Sequence, residues 1–457
     1  MREIEKIIEI EDRYNLFEKS ILGVFFWKLI RLEVYERIMF NKGYHKKAQN
    51  NTNTRFFNIL SEMPNILINT FIRSWSLDFS QKDVLVFRHP RKVMVNNDYI
   101  DIYTKYLEDE MKLSSIDYGS IDFPNNLIHR TKYDGSVKNI ESISLGMDYL
   151  YGLLQRKIIL KHRISKEDYE LINDLNEIIN SSFKVNINLS EIVIRAIAKF
   201  NYRKKFYTRI LKRKKPNRIY LVVHYSRHEL IAAAHELGIK SIEIQHGIIT
   251  PFHLGYSYGA NTNIPYFPDS MILYGSIWNN MVNIPILNYN LILRKFDYLY
   301  EQKNRLASIQ KENAITIVSQ GTVGENLFSF ATDLACKLEN HTIYYKLHPG
   351  EFLTWKSKVN EIELPQNIKL IFDEETILSL FSKSNYIVGV YSTAVYEALF
   401  FECNIIVLKL PGYEYMNYLL ENKYAKLVET VEDTVAYIKL NNSIRNNINY
   451  NIIFGSE

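Results

Sequence analysis

Three polar pairs, Gln320-Gly321, His348-Pro349 and Ser392-Thr393, each stand directly after a short apolar run, where residues of these types can hold an anion. Ser392 and Thr393 open a helical pattern, so their hydroxyls converge with free backbone N–H groups and the positive end of a helix dipole. The same pair also suits a plain helix cap. His348 follows its run without a spacer, and Pro349 restricts where the imidazole can point. Thr322 completes the turn begun by Gln320 and Gly321. Glu397 lies four residues after Thr393, on the same helical face, where a carboxylate can accept from ribose hydroxyls. Together these residues describe a site for a nucleotide phosphate.

The elements that must position them alternate strand and helix. Residues 314–318, 342–347, 386–390 and 404–408 read as buried strands, and Leu327, Phe330, Leu334 and Leu338 recur at helical spacing. Strands of this kind form an open parallel sheet, which binds ligands at its carboxyl edge. A second sheet is expected in the front half. Its strands are residues 84–87, 218–223, 241–244 and 269–274, with a helix over 230–237. The first ends at His89 and Arg91, the second at His224, Arg227, His228 and Glu229, and the third at Gln245-His246-Gly247.

Residues 248–268 form a long aperiodic connection, the kind that is often functional. Residues 1–80, 99–113 and 143–180 read as mainly helical, with a broad apolar stripe from Phe17 to Ile30, and 278–310 carries Pro285 and then a long helical pattern, with the interdomain connection expected near 285–313. The expected division is a first domain over 1–313, a nucleotide-binding domain over 314–440, and a tail or returning helix over 441–457.

The motifs Leu347-His-Pro-Gly350, Tyr391-Ser-Thr-Ala-Val-Tyr-Glu397 and Ile244-Gln-His-Gly-Ile248 resemble those of bacterial GT-B glycosyltransferases of capsule and lipopolysaccharide synthesis. The similarity is strongest to users of CMP-activated nonulosonic acids: sialyltransferases, Kdo transferases, and pseudaminic or legionaminic acid transferases. It covers roughly residues 220–412. It implies an α/β fold of two Rossmann-like domains facing across a cleft, with helical additions at the amino end. It also implies that His348, Pro349, Ser392 and Thr393, with Gln320, Gly321, Thr322 and Glu397, hold the nucleotide.

In those families the amino-terminal domain faces the acceptor. His89, Arg91, His224, Arg227, His253 and Tyr256 are then the candidates for acceptor contact. His246 is the first choice for the base, with Glu229 and His228 after it, and His348 steadies the departing phosphate. The implied acceptor is a glycan or lipid-linked glycan. CDP-glycerol polymerases share a similar His-Gly, His-Pro and Ser-Ser pattern, so transfer of a polyol phosphate is the alternative activity. A nucleotide- or glycan-binding protein without catalysis is the alternative outside enzymes.

Composition sets the remaining bounds. The 457 residues suffice for two cores, and 47% hydrophobic with 23% charged residues is ordinary for a globular protein. Cys336 and Cys403 lie in apolar contexts and are expected as buried thiols. With no Asp-x-Asp motif and no spaced His/Cys set, neither metal nor cofactor is expected, the CMP-sugar being a substrate. No apolar leader and no continuously apolar run of about 20 residues is seen, so a cytoplasmic protein is expected. Between Lys199 and Arg218 stand ten Lys or Arg and no acid, interleaved with Phe200, Tyr202, Phe206 and Tyr207. This stretch suits a solvated helix, or contact with the anionic inner face of the cytoplasmic membrane. Without a recognisable reading module, nucleic acid is not the expected partner.

Overall fold

The structure, a computed structural model, describes residues 2–44, 63–64, 67–69, 71–75, 78–95, 98–125, 137–139, 163–261, 263–287, 290–358, 363–440 and 448–456. Two compact units emerge from its contacts: residues 2–249 with 254–294, and residues 295–457 with 250–253. Parts of the helical expectations for 1–80 and 143–180 lie outside the described residues, as do residues 126–136 and 441–447.

The first unit holds β1 (Val84–Phe87), β2 (Val93–Val95), β3 (Asp98–Ile100), β4 (Tyr118–Asp122), β5 (Val137–Asn139), β6 (Arg218–Val222), β7 (Lys240–Ile244), β8 (Ser270–Leu273) and β9 (Leu291–Leu293). Strands β2 and β3 pair as an antiparallel hairpin. The other seven form one sheet in the order β5-β4-β1-β6-β7-β8-β9, with every pair parallel. The second unit holds β10 (Glu312–Val318), β11 (Thr342–Lys346), β12 (Ile368–Ile371), β13 (Ser384–Gly389), β14 (Asn404–Leu408) and β15 (Ala425–Val428). Its order is β12-β11-β10-β13-β14-β15, again wholly parallel.

Counted within each unit, with the hairpin set aside, the strand order is 3-2-1-4-5-6, extended by one strand in the first. This is the doubly wound Rossmann order, whose switch point lies between strands 1 and 4. The two-sheet α/β fold expected from the sequence is therefore present. The switch points fall between β1 and β6 and between β10 and β13, the strands that end at His89, His224, Gln320 and Tyr391. The strands read as continuous apolar runs because helices cover both faces of such sheets. In the second unit Ile315, Ile317, Ile343, Tyr345, Val388 and Ile406 share one core.

Several elements differ from the sequence reading. The stripe from Phe17 to Ile30 is not one helix: Leu22 and Gly23 adopt positive φ, and the helix begins at Phe26. The helical pattern expected within residues 278–310 is split by β9 before the helix Asp297–Arg305. That helix and the helix Asn451–Phe454 both belong with the second sheet, where Phe296 N donates to Phe454 O at 2.9 Å and Phe454 packs on Phe400. Cys403 is buried as expected, whereas Cys336 is exposed on the helix Gly324–Lys337, which turns Ala331, Leu334 and Ala335 inward instead. Among the described residues, no helix is long and apolar enough to cross a membrane.

The basic stretch lies mostly on the helix Leu189–Lys214. Its apolar side, including Phe200, Phe206, Tyr207, Ile210 and Leu211, is buried, and Lys199, Lys205, Arg209, Lys212 and Lys215 are exposed.

Two amino-terminal helices, Arg2–Tyr14 and Phe26–Asn41, brace the loop that follows β7. Glu11 and Arg31 form a bidentate pair inside the protein, with Nε to Oε1 at 2.8 Å and Nη2 to Oε2 at 2.7 Å. Trp27 adds its indole N–H to Glu11, while Arg31 donates to Leu254 O and, at 3.0 Å, to Ser257 O. Removing one partner of a buried pair strands the other charge. Glu11→Ala is expected to cost about 3–5 kcal/mol of stability in chemical denaturation. A loss below about 1 kcal/mol, typical of an exposed pair, would show that Arg31 finds other partners.

Candidate active site

At the second unit's switch point, side-chain bonds join the turns that follow β10 and β13. Tyr391 N donates to Gln320 Oε1 at 3.0 Å, which leaves the Gln320 NH₂ as the free end of that amide. Thr322 and Tyr391 bond through their hydroxyls. Gly412, at φ +99°, lies so close that a Cβ there would meet the Tyr391 ring at 2.6 Å. A second link joins β10 to β11: Glu351 accepts from Ser319 Oγ at 3.1 Å and from His348 N at 3.0 Å. Its carboxylate sits against the start of the helix Gly324–Lys337, where a Cβ on Gly324 would fall 2.2 Å from Oε1. Burial raises the Glu351 carboxyl above the usual range despite these donors.

His348 is oriented by its own turn. Gly350 N donates to its Nδ1 at 3.1 Å, so a neutral ring carries its proton on Nε2 and presents a donor there. Pro349 occupies the first position of the short 3-10 turn, where its missing N–H costs nothing. Ser392 caps the helix Thr393–Phe400, its Oγ accepting from Ala394 N at 3.3 Å, and both Ser392 and Thr393 are partly exposed. Gln320, Gly321, Thr322, His348 and Ser392 therefore share one sheet edge. His253 belongs to this unit as well: Tyr415 donates to Phe252 O at 2.7 Å and its ring meets His253, while Tyr391 lies on Tyr415.

The first unit's switch point gathers aromatic rings and imidazoles. His246 stacks on His89, with centroids 6.2 Å apart and planes at 23°, and Tyr103 meets both edge-on. Gln245 braces the turn that carries His246, accepting from Tyr274 N at 2.7 Å and donating to Gly247 O at 2.8 Å. His246 Nε2 lies 3.1 Å from the Tyr225 hydroxyl and Nδ1 lies 3.4 Å from that of Tyr256. Burial and the nearby cations Arg91, Lys92 and Arg227 lower His89 to about 4, so it is neutral near pH 7. Val223, a β-branched residue at φ +62°, forms the turn into His224. Strain of this kind, on the order of 1–3 kcal/mol, clusters at functional sites.

Behind the edge stands Glu243, wholly buried on β7. It accepts from His224 N at 3.1 Å and from the Tyr256 hydroxyl at 2.9 Å, and His224 Nδ1 lies 2.6 Å away. Burial raises its carboxyl to about 7 against the pull of these donors.

His224 and Tyr256, expected as acceptor contacts, are instead enclosed, because their polar atoms are spent on Glu243. His228 and Glu229, the second-choice bases, are also buried. His228 is held neutral by burial and surrounding cations, and its Nε2 has no hydrogen-bond partner among the described residues. Arg227 is partly buried, its guanidinium 3.8 Å over the Phe123 ring. Arg88 and Lys92 pair with Glu108 and Asp122, and Arg91 remains exposed.

Glu243, Tyr225, Tyr391 and Glu351 were not singled out in the sequence. A carboxylate inside an apolar strand and a Glu three residues after His348 were the available signals. Among the described residues, no cluster of His, Cys, Asp and Glu is arranged to hold a metal ion.

The fold thus defines a two-unit α/β protein with polar residues at both switch points. No family model matches the chain, and no curated protein matches it. Among solved structures it is similar to the UDP-GlcNAc 2-epimerase of Methanocaldococcus jannaschii in complex with UDP-GlcNAc and UDP. That likeness has 11% identity and TM-score 0.49, over 82% of this chain and 95% of that one. The Neisseria meningitidis UDP-GlcNAc 2-epimerase bound to UDP-GlcNAc is similar at 15% identity and TM-score 0.45, over 81% and 96%. The spinosyn rhamnosyltransferase SpnG is similar at 12% identity and TM-score 0.41, over 79% and 90%. At these scores no residue's role passes from those proteins to this chain.

Glu397 gives the site a titration of its own. It is partly buried on the helix Thr393–Phe400, and burial raises its carboxyl from 4.5 to about 7. Between those values the folded protein holds a proton that the unfolded chain has released. This contribution to stability is therefore whole below 4.5 and is lost as pH rises through about 7. Glu397→Gln is expected to reduce the fall in stability between about pH 5 and about pH 8 in urea titrations. An unchanged slope would show Glu397 already ionised in the folded state.

Proposed function

We propose that the protein is a glycosyltransferase of the GT-B class that moves a nonulosonic acid from a CMP-activated donor to a glycan or lipid-linked glycan. The observation that carries this reading is the 3.0 Å bond from Tyr391 N to Gln320 Oε1, which draws two strand ends together at the second unit's switch point. Ligands of doubly wound sheets bind at such a crevice. The donor's phosphate is assigned to His348 Nε2, the Gln320 amide, Thr322 and the start of the helix at Ser392 and Thr393. Its ribose is assigned to Glu397. The motif resemblance to CMP-sugar users supports the choice of nucleotide.

Transfer breaks the bond between the anomeric carbon and the phosphate oxygen, and the electron pair leaves on the phosphate. A neutral imidazole donating from Nε2, beside a helix start, stabilises that charge with no metal ion. The first unit supplies the acceptor side. His89 and Arg91 are assigned to acceptor contact, and His246 to the hydroxyl proton. The exposed cations of the helix Leu189–Lys214 suit an anionic membrane surface, which would bring a lipid-linked acceptor near.

A thermal-shift screen tests the donor class. CMP is expected to raise the unfolding temperature where UMP, GMP and ADP do not, because saturation at 100 times Kd adds about 2.7 kcal/mol. With a CMP-nonulosonic acid as donor, His348→Ala is expected to lower kcat/KM by about 10²–10³ with the fold intact. Transfer from CDP-glycerol alone would replace this reading with polyol-phosphate transfer. CMP binding without turnover of any donor would leave a binding protein.

A further inference from the structure

We propose that Glu243 is a positioning residue for His246, acting through the hydroxyl of Tyr256. This inference rests on the reading of His246 as the base, and it arises from the direction of the hydrogen bonds. A phenol has one proton to give. Tyr256 donates it to Glu243 Oε1 at 2.9 Å, so toward His246 Nδ1, 3.4 Å away, the same oxygen accepts. Nδ1 therefore carries the ring proton, and Nε2 keeps its lone pair. That lone pair now faces the Tyr225 hydroxyl at 3.1 Å, which is the position an acceptor hydroxyl would take or act through.

Everything behind Tyr256 fixes this direction. Glu243 is also held by His224 N at 3.1 Å and His224 Nδ1 at 2.6 Å, so its acceptor capacity is aimed and not free to rotate. On the far side of His224, Nε2 lies 3.3 Å from the Tyr258 hydroxyl, which donates to Gly255 O at 2.6 Å. The buried Lys28 and Arg31 both lie against the Tyr258 ring. Glu243, Tyr256 and Tyr258 have no access to water, so no solvent molecule can stand in for a lost partner.

The step balances as follows. As the acceptor oxygen bonds to the anomeric carbon, His246 Nε2 takes the hydroxyl proton and the carbon–phosphate oxygen bond breaks. The imidazolium so formed keeps its Nδ1 proton toward Tyr256, and the Glu243 carboxylate behind that hydroxyl offsets its charge. Tyr256 touches neither substrate nor the reacting atoms. Its part, like that of Glu243, is to hold one tautomer.

Long-range ¹H–¹⁵N spectra of histidine-labelled protein test this, with His246 assigned through His246→Gln. The wild type is expected to show His246 protonated at Nδ1. Tyr256→Phe, which keeps the ring, and Glu243→Leu, which keeps the size but removes the acceptor, are each expected to lose that preference. With a nucleotide-sugar that turns over, Tyr256→Phe is also expected to lower kcat on the order of tenfold with donor KM unchanged, part of the 10²–10⁴ that a positioned base contributes. A His246 tautomer unchanged in both variants overturns the proposal, whether or not any donor reacts. A tautomer shift in the variants, together with a wild type that turns over no donor, upholds the relay and overturns the glycosyltransferase reading instead.

Discussion

Glu243 is a carboxylate without water, and much of the first unit is arranged around that fact. A buried acid must be neutralised or surrounded by donors. Here the donors are the His224 backbone and ring and the Tyr256 hydroxyl. Each comes from a different part of the chain: the turn after β6, entered through the strained Val223, and the loop after β7. That loop in turn is pinned by Arg31, whose own charge is met by Glu11 on the first helix. The amino-terminal helices are thus coupled, through two buried ionic centres, to the residues beside His246.

The second unit reaches a similar result with less buried charge. Its sheet edge is held by Gln320 reaching across to β13 and by Glu351 reaching back to Ser319. Gln320 Oε1 and His348 Nδ1 each accept from a backbone N–H, of Tyr391 and Gly350 respectively. Both units therefore use one device. A side chain spends one polar atom on the scaffold, and that choice fixes the direction of the other.

Much of this was legible in the residues. Strands such as 84–87, 314–318 and 404–408 announce themselves because a parallel strand covered on both faces must be apolar throughout. His89, His246, Gln320, His348 and Ser392 were singled out because each follows such a run, and the structure places them at the sheet edges. What the sequence missed has equally local reasons. Strands β9, β12 and β15 are only three or four residues long and partly exposed, so their apolar runs are broken. The stripe from Phe17 to Ile30 imitates a helix because burial in a turn and burial on a helix use the same residue types.

By itself, the order of residues determined that two parallel sheets would form and that their polar residues would gather at strand ends, since periodicity and strand-end chemistry are local properties. Only the tertiary structure decided which of those residues stay near the surface. His224, His228 and Tyr256 looked no different from His89 or His246 along the chain. Whether a side chain faces a ligand or a buried carboxylate depends on partners far away in sequence. Glu243 meets His224 nineteen residues before it and Tyr256 thirteen after it, and no local pattern encodes such meetings.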